Sequence, residues 1–229
     1  MPFTNVHPTG IGFPSPNAFD VSHLPTLREY TAISHEQGAK IVAQIAHAGS
    51  RENRFRFPLA VIDAIDEMRR RKNRPDFIIG YRFSPEEPGA DGLTMADTLA
   101  LVDALAAKLL QYLHVSLWDF YKKARRDGND EYRMKLIHQR INGRLPFIGV
   151  GKLYTADDIA QAWETGWAEF IALGKTVMLN PDLIELIANG REAEIHTHFD
   201  WQQTDRYRYT PAMLAGTRQG MDFYPPAKG

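Results

Sequence analysis

The chain contains no cysteine. That excludes disulfides, thiolate metal centres and a cysteine nucleophile, and it fits a reducing compartment. Charge of one sign is lacking too. The 27 Lys and Arg against 28 Asp and Glu leave a net charge of −1, so there is no electrostatic reason to expect nucleic acid or an anionic membrane as partner. No apolar run reaches the roughly 18 residues that span a bilayer. The opening Met1-Pro2-Phe3-Thr4-Asn5 has no basic segment followed by an apolar one, so no secretory signal is expected. Together these absences point to a soluble, cytoplasmic protein. What is present is ordinary for a globular chain: 229 residues, 44% hydrophobic and 24% charged, proportions that argue against disorder, collagen and coiled coil.

Short β-branched or aromatic runs alternate with helical patterns. Residues 24–37 read as a helix stopped by Gly38, and Ile41-Val42-Ala43-Gln44-Ile45-Ala46 as the strand that follows. Leu59, Ile62, Ile65 and Met68 recur at helical spacing behind Pro58, and the basic run Arg69-Arg70-Arg71-Lys72 reads either as an anion site or, the favoured reading, as a solvated end that suits the helix dipole. Phe77 to Phe83 is the next strand. Thr94 and Asp97 make a capping box for a helix through Leu99, Val102, Leu105 and Leu109. Further strands are expected at Tyr112–Leu117, Phe147–Val150 and Phe170–Leu173. A helix over residues 129–141 is closed by Asn142-Gly143, and Thr155 to Asp158 cap another. Asn180-Pro181-Asp182 opens a last helix, with Asn180 as N-cap, that ends at Asn189-Gly190. Residues 1–198 are expected to form one domain, followed by an aromatic and polar tail over 199–229.

The strands begin near residues 41, 77, 112, 146 and 170. Alternation of β and α at this interval means βαβ units and a parallel sheet. An eight-stranded βα barrel averages roughly 31 residues per unit, which fits. A doubly wound open sheet fits the alternation as well, but its Gly-x-Gly-x-x-Gly after the first strand is absent. Few residues precede the first strand, so the pattern is that of a barrel entered partway round. The fold class is α/β: a TIM-barrel-type parallel sheet, incomplete, lacking two to three of the eight strands.

In such barrels ligands bind at the C-terminal ends of the strands. Two of these ends carry Gly149-Val150-Gly151-Lys152 and Gly174-Lys175. Glycine lets backbone N–H groups approach a phosphate closely, and a lysine adds charge. The alternative for either loop alone is a tight turn. Arg82, inside an otherwise apolar strand, reads either as one half of an internal salt bridge to Glu86, Glu87 or Asp119, or as a cation facing an anionic or electron-rich ligand. Gln44 is either satisfied by the core or reads a ligand's donor and acceptor edge. His47, at a strand end, is either structural or an acid or base. Trp118-Asp119 ends the strand from Tyr112. His196-Thr197-His198 lacks a carboxylate companion at ligand spacing, and no metal site is expected.

Gln44-Ile45-Ala46-His47-Ala48-Gly49, Glu52 to Pro58, Gly80 to Glu87, Gly149-Val150-Gly151 and Ala172-Leu173-Gly174-Lys175 resemble the old yellow enzyme family, from Thr4 to about Phe199. The family consists of NAD(P)H-dependent flavin oxidoreductases built on an eight-stranded βα barrel with bound FMN. The resemblance implies that Gln44 hydrogen-bonds the flavin pyrimidine edge. It implies that Arg82 lies near N1 and O2 of the ring, and that Gly151, Lys152 and Gly174 offer backbone N–H groups to the FMN phosphate. Lys175 stands where many relatives have arginine, and supplies the charge without the bidentate fork.

Two departures stand out against that family. The first strand and part of the second are missing from its start. His47-Ala48-Gly49 also runs straight into Ser50-Arg51-Glu52, where relatives have a further unit carrying a substrate-holding His-x-x-Asn or His-x-x-His pair and a tyrosine proton donor. The implied function is hydride transfer from NAD(P)H through FMN to an activated alkene or other acceptor, with catalytic residues unassigned. The alternatives are an inactive remnant of the family, or a phosphate-binding barrel lyase or isomerase using Lys175 or His47. A small-molecule substrate is expected, and exposed sheet edges suggest a homo-oligomer.

Overall fold

The computed structural model describes residues 4–5, 24–36, 38, 40, 42, 44–46, 55–89, 92–125, 130–222 and 224–228. The chain divides into two units, Met1–Arg54 and Phe55–Gly229. The first holds β1 (Thr4–Asn5), α1 (Leu24–Glu36) and β2 (Ile45–Ala46), the two strands pairing in parallel with Thr4 opposite Ile45. Helix α1 ends as its sequence implies: Gly38 takes φ +70° and its N–H donates to the carbonyl of His35 at 2.9 Å. The family-like run around His47 and the junction Gly49-Ser50 lie outside the described residues.

The second unit is a βα array. Its elements are α2 (Arg56–Arg71), β3 (Gly80–Phe83), α3 (Met95–Ala106), β4 (Tyr112–Val115), α4 (Arg133–Ile141), β5 (Phe147–Val150), α5 (Ala156–Glu164) and β6 (Phe170–Ala172). The four strands form one parallel sheet in the order β3-β4-β5-β6. The α/β class and the parallel sheet thus stand as read from the sequence.

Helices α3 and α5 begin on true capping boxes. Thr94 accepts from the Asp97 N–H at 3.2 Å while Asp97 accepts from the Thr94 N–H at 3.1 Å, and Thr155 and Asp158 repeat the exchange at α5. Aspartate at the third helical position is short, yet it reaches. Helix α4 stops at Asn142 and Gly143, both in the left-handed region. The basic end of α2 is held by its own helix: Asp66 takes Arg69 at 2.5 Å and Arg70 at 3.2 Å.

The pleat decides which residues are covered. Phe83, Leu113, Val115 and Phe147 project from one face and are buried with Leu101, Val102 and Leu105 of α3 and Met134, Ile137 and Ile141 of α4. The alternate residues, Arg82, Tyr112, His114, Ile148 and Phe170, project from the other. Gly80 is required there, because a Cβ on it would stand 2.1 Å from the ring of Tyr112, its partner in register.

One sequence expectation is overturned beyond β6. Asn180 is not an N-cap. It ends α6 (Lys175–Leu179), and α7 (Leu183–Ala188) begins after Asp182. Asn180 is fully buried and all its side-chain bonds go to backbone. Nδ2 donates to the carbonyls of Thr176 and His196 at 3.0 and 2.9 Å, and Oδ1 accepts from the His196 N–H at 2.8 Å. Tertiary pairing here outweighs local capping preference. The chain then packs α8 (Thr204–Tyr207) and α9 (Pro211–Arg218) around Phe199, Tyr207 and Leu179, and a parallel bridge joins Phe199 to Ala227.

Candidate functional site

The C-terminal edge of the β3-β4-β5-β6 sheet collects five of the residues singled out in the sequence: Arg82, Gly151, Lys152, Gly174 and Lys175. The loop after β5 turns on two left-handed residues, Gly151 at φ +135° and Lys152 at φ +49°. Gly151 passes so close to the end of β4 that a Cβ would meet the Phe120 nitrogen at 2.6 Å and the Asp119 nitrogen at 2.7 Å. The Phe120 N–H donates to the Gly151 carbonyl at 3.2 Å, which pins the two loops together. The loop after β6 leads through Gly174 directly into α6, whose first residue is Lys175. The Thr176 hydroxyl donates to the carbonyl of Leu153 and ties this loop to the one before it.

The two lysines lie near enough to feel each other. Desolvation lowers the pKa of Lys175, Asp222 raises it, and Lys152 lowers it again. Lys152 Nζ lies 3.8 Å from Asp119 Oδ2, and Lys175 Nζ lies 5.3 Å from the centre of the Trp118 ring. Two cations on neighbouring glycine loops suit a compact anion.

Arg82 resolves one of the alternatives left open by its sequence context. Its salt-bridge candidates are otherwise engaged. Glu86 pairs with Arg133 at 2.7 Å and accepts from the Arg125 N–H at 3.0 Å, while the Asp119 carboxylate faces Lys152 and the Tyr121 N–H. Among the described residues the Arg82 side chain has no ion-pair or hydrogen-bond partner. It is exposed, yet desolvation along its stem holds its pKa below the ordinary arginine value. An unpaired guanidinium on the sheet face it shares with Tyr112, His114, Ile148 and Phe170 is free to meet a ligand.

His114 is the residue that reading the sequence overlooked. It is the register partner of Arg82, its Nε2 is shut off from solvent, and no partner reaches that nitrogen. Burial first, and the Arg82 charge second, push its pKa down to about 4. The imidazole is neutral at physiological pH. Strand alternation was the available signal, since His114 falls on the side of the sheet that carries Arg82.

Gln44 belongs to the first unit, partly buried just before β2 and engaged by a partner of its own. His47 lies outside the described residues. His196 meets the Tyr207 hydroxyl at 3.0 Å, and no group of metal-ligating side chains occurs among the described residues. Nor is any helix of the described residues long and apolar enough to cross a membrane.

The donor set fits flavin mononucleotide at both ends: glycine-loop amides and two lysines for a phosphate, and a free guanidinium for an electron-rich ring edge. Comparison with known proteins gives the family. Over 162 residues the chain is 40% identical to "Probable NADH-dependent flavin oxidoreductase YqiG" of Bacillus subtilis, covering 70% of this chain and 43% of that protein. Over 151 residues it is 36% identical to the NADH:fumarate oxidoreductase of Klebsiella pneumoniae, covering 64% of this chain and 16% of that one. The chain therefore spans less than half the length of these relatives. Among solved structures, a variant of NCR from Zymomonas mobilis shares the fold, with a TM-score of 0.58 at 15% identity over 91% of this chain and 79% of that one. The family model for NADH:flavin oxidoreductase / NADH oxidase matches residues 47–194. The chain belongs to the NADH:flavin oxidoreductase / NADH oxidase family, whose cofactors are FMN and NAD(P)H.

Proposed function

We propose that this chain binds FMN at the C-terminal edge of the β3-β4-β5-β6 sheet and serves hydride transfer from NAD(P)H to an activated alkene or related acceptor. The observation that carries this reading is the unpartnered Arg82 side chain on the same strand-end edge as Lys152 and Lys175 of the two glycine loops. The redox chemistry itself belongs to the flavin ring when it is bound. The chain's own residues bind and tune. Backbone N–H groups of Gly151, Lys152 and Gly174, with the Lys175 ammonium, hold the phosphate. The Arg82 guanidinium would offset negative charge on a bound flavin ring, and the neutral His114 next to Arg82 adds no further positive charge.

The full-length protein is tested by loading with FMN, dialysing and recording the visible absorption spectrum. One equivalent of retained flavin is the expected result. Lys175→Ala is expected to weaken FMN binding at least tenfold, the loss of one charge-assisted contact of about 1.5–3 kcal/mol. A folded sample that retains no flavin at any concentration of added FMN defeats the proposal.

A further inference from the structure

Both lysines of the glycine loops are engaged by one dipeptide at the end of β4. The Trp118 ring lies under Lys175 Nζ at 5.3 Å, and Asp119 Oδ2 faces Lys152 Nζ at 3.8 Å. The dipeptide is held in place from behind. Gly151 abuts the Asp119 and Phe120 backbone, and Asp119 Oδ1 accepts from the Tyr121 N–H at 3.0 Å, which aims the carboxylate. Trp118 is 66% exposed. A large aromatic left in solvent at a ligand-facing edge, with a cation over its face, is a contact surface rather than core. Lys175 also needs such a contact, because a lysine has one charged tip on a flexible stem and cannot orient itself as an arginine fork does.

We propose that Trp118 and Asp119 are positioning residues for the anion site between Lys152 and Lys175, and that they act with opposite sign. Trp118 keeps the Lys175 ammonium within reach of a phosphomonoester. Asp119 occupies Lys152 while the site is empty and opposes the incoming dianion, so it limits affinity. Asp222 contributes a second negative field at Lys175 and is common to every comparison below. The inference rests on reading these loops as the phosphate end of the FMN site.

The test uses the full chain, with FMN, riboflavin and inorganic phosphate as probes in calorimetric or fluorescence titration. Trp118→Leu is expected to weaken FMN binding about two- to fivefold, the range of an exposed cation–π contact, and Trp118→Phe by less. Asp119→Asn keeps the oxygen that caps Tyr121, and is expected to tighten FMN and phosphate binding about two- to fivefold at low salt. That gain should fade as ionic strength rises. Riboflavin, which has no phosphate, should bind all four proteins alike. Equal shifts for FMN and riboflavin, or weakening by both substitutions, overturn the inference. Wild-type protein that binds FMN with neither substitution altering its affinity overturns this inference alone. Wild-type protein that binds neither FMN nor phosphate overturns it together with the flavin reading.

Discussion

At the scale of single residues, His114 is a base that folding holds in its neutral form. Its pKa falls from 6.5 to about 4, chiefly by burial and then by the charge of Arg82. Between those values the unfolded chain binds a proton that the folded chain does not. Stability therefore rises with pH through this window and is lost as the pH drops from 6.5 towards 4. His114→Leu should flatten that limb, seen as a urea midpoint that changes less between pH 6.5 and 4 than in the wild type. An unchanged slope would mean that other groups carry the acid sensitivity. Arg82, Lys152 and Lys175 were legible in the sequence because a charge within an apolar strand, or next to glycine at a strand end, is conspicuous. His114 was not, since one histidine in the run Tyr112 to Leu117 says nothing of its neighbours until register sets it opposite Arg82.

Between elements, a buried ion pair joins the segment after β3 to the start of α4. Arg133 and Glu86 meet at 2.7 Å with side chains only 4% and 1% exposed. Glu86→Ala would leave the guanidinium buried without its counter-charge, a loss of about 3–5 kcal/mol. The double variant Glu86→Leu, Arg133→Met should be markedly less destabilised than the single one in thermal melts; equal losses would show that the pair itself contributes little. Local signals served well where an element is fixed by its own residues. Thr94 with Asp97, Thr155 with Asp158, and Asn142 before Gly143 all mark real helix ends. They failed at Asn180, whose partners Thr176 and His196 come from two sides of it in the chain. A side chain that bonds across 16 residues has no local signature.

For the molecule as a whole, the repeat of strand and helix made the parallel sheet readable, because both periods and their order are carried by local sequence. The short helices α8 and α9 were not readable. They are held by the buried Phe199 and Tyr207 rather than by any amphipathic repeat of their own. One large-scale property follows from the pleat. Phe170, on the face that carries Arg82, is 57% exposed, an apolar surface prone to self-association. Phe170→Lys should raise the solubility limit in light scattering and shift stability by no more than about 0.5 kcal/mol. A large fall in melting temperature would instead show that Phe170 is packed. The strand order has a further consequence, in time. β3, β4, β5 and β6 pair strictly with the strand made just before. At a synthesis rate of about 5–20 residues per second, each new strand leaves the ribosome within seconds of the edge it joins. The sheet can therefore grow in the direction of translation without waiting for distant sequence. The bridge between Phe199 and Ala227 can close only after nearly all of the 229 residues have been made.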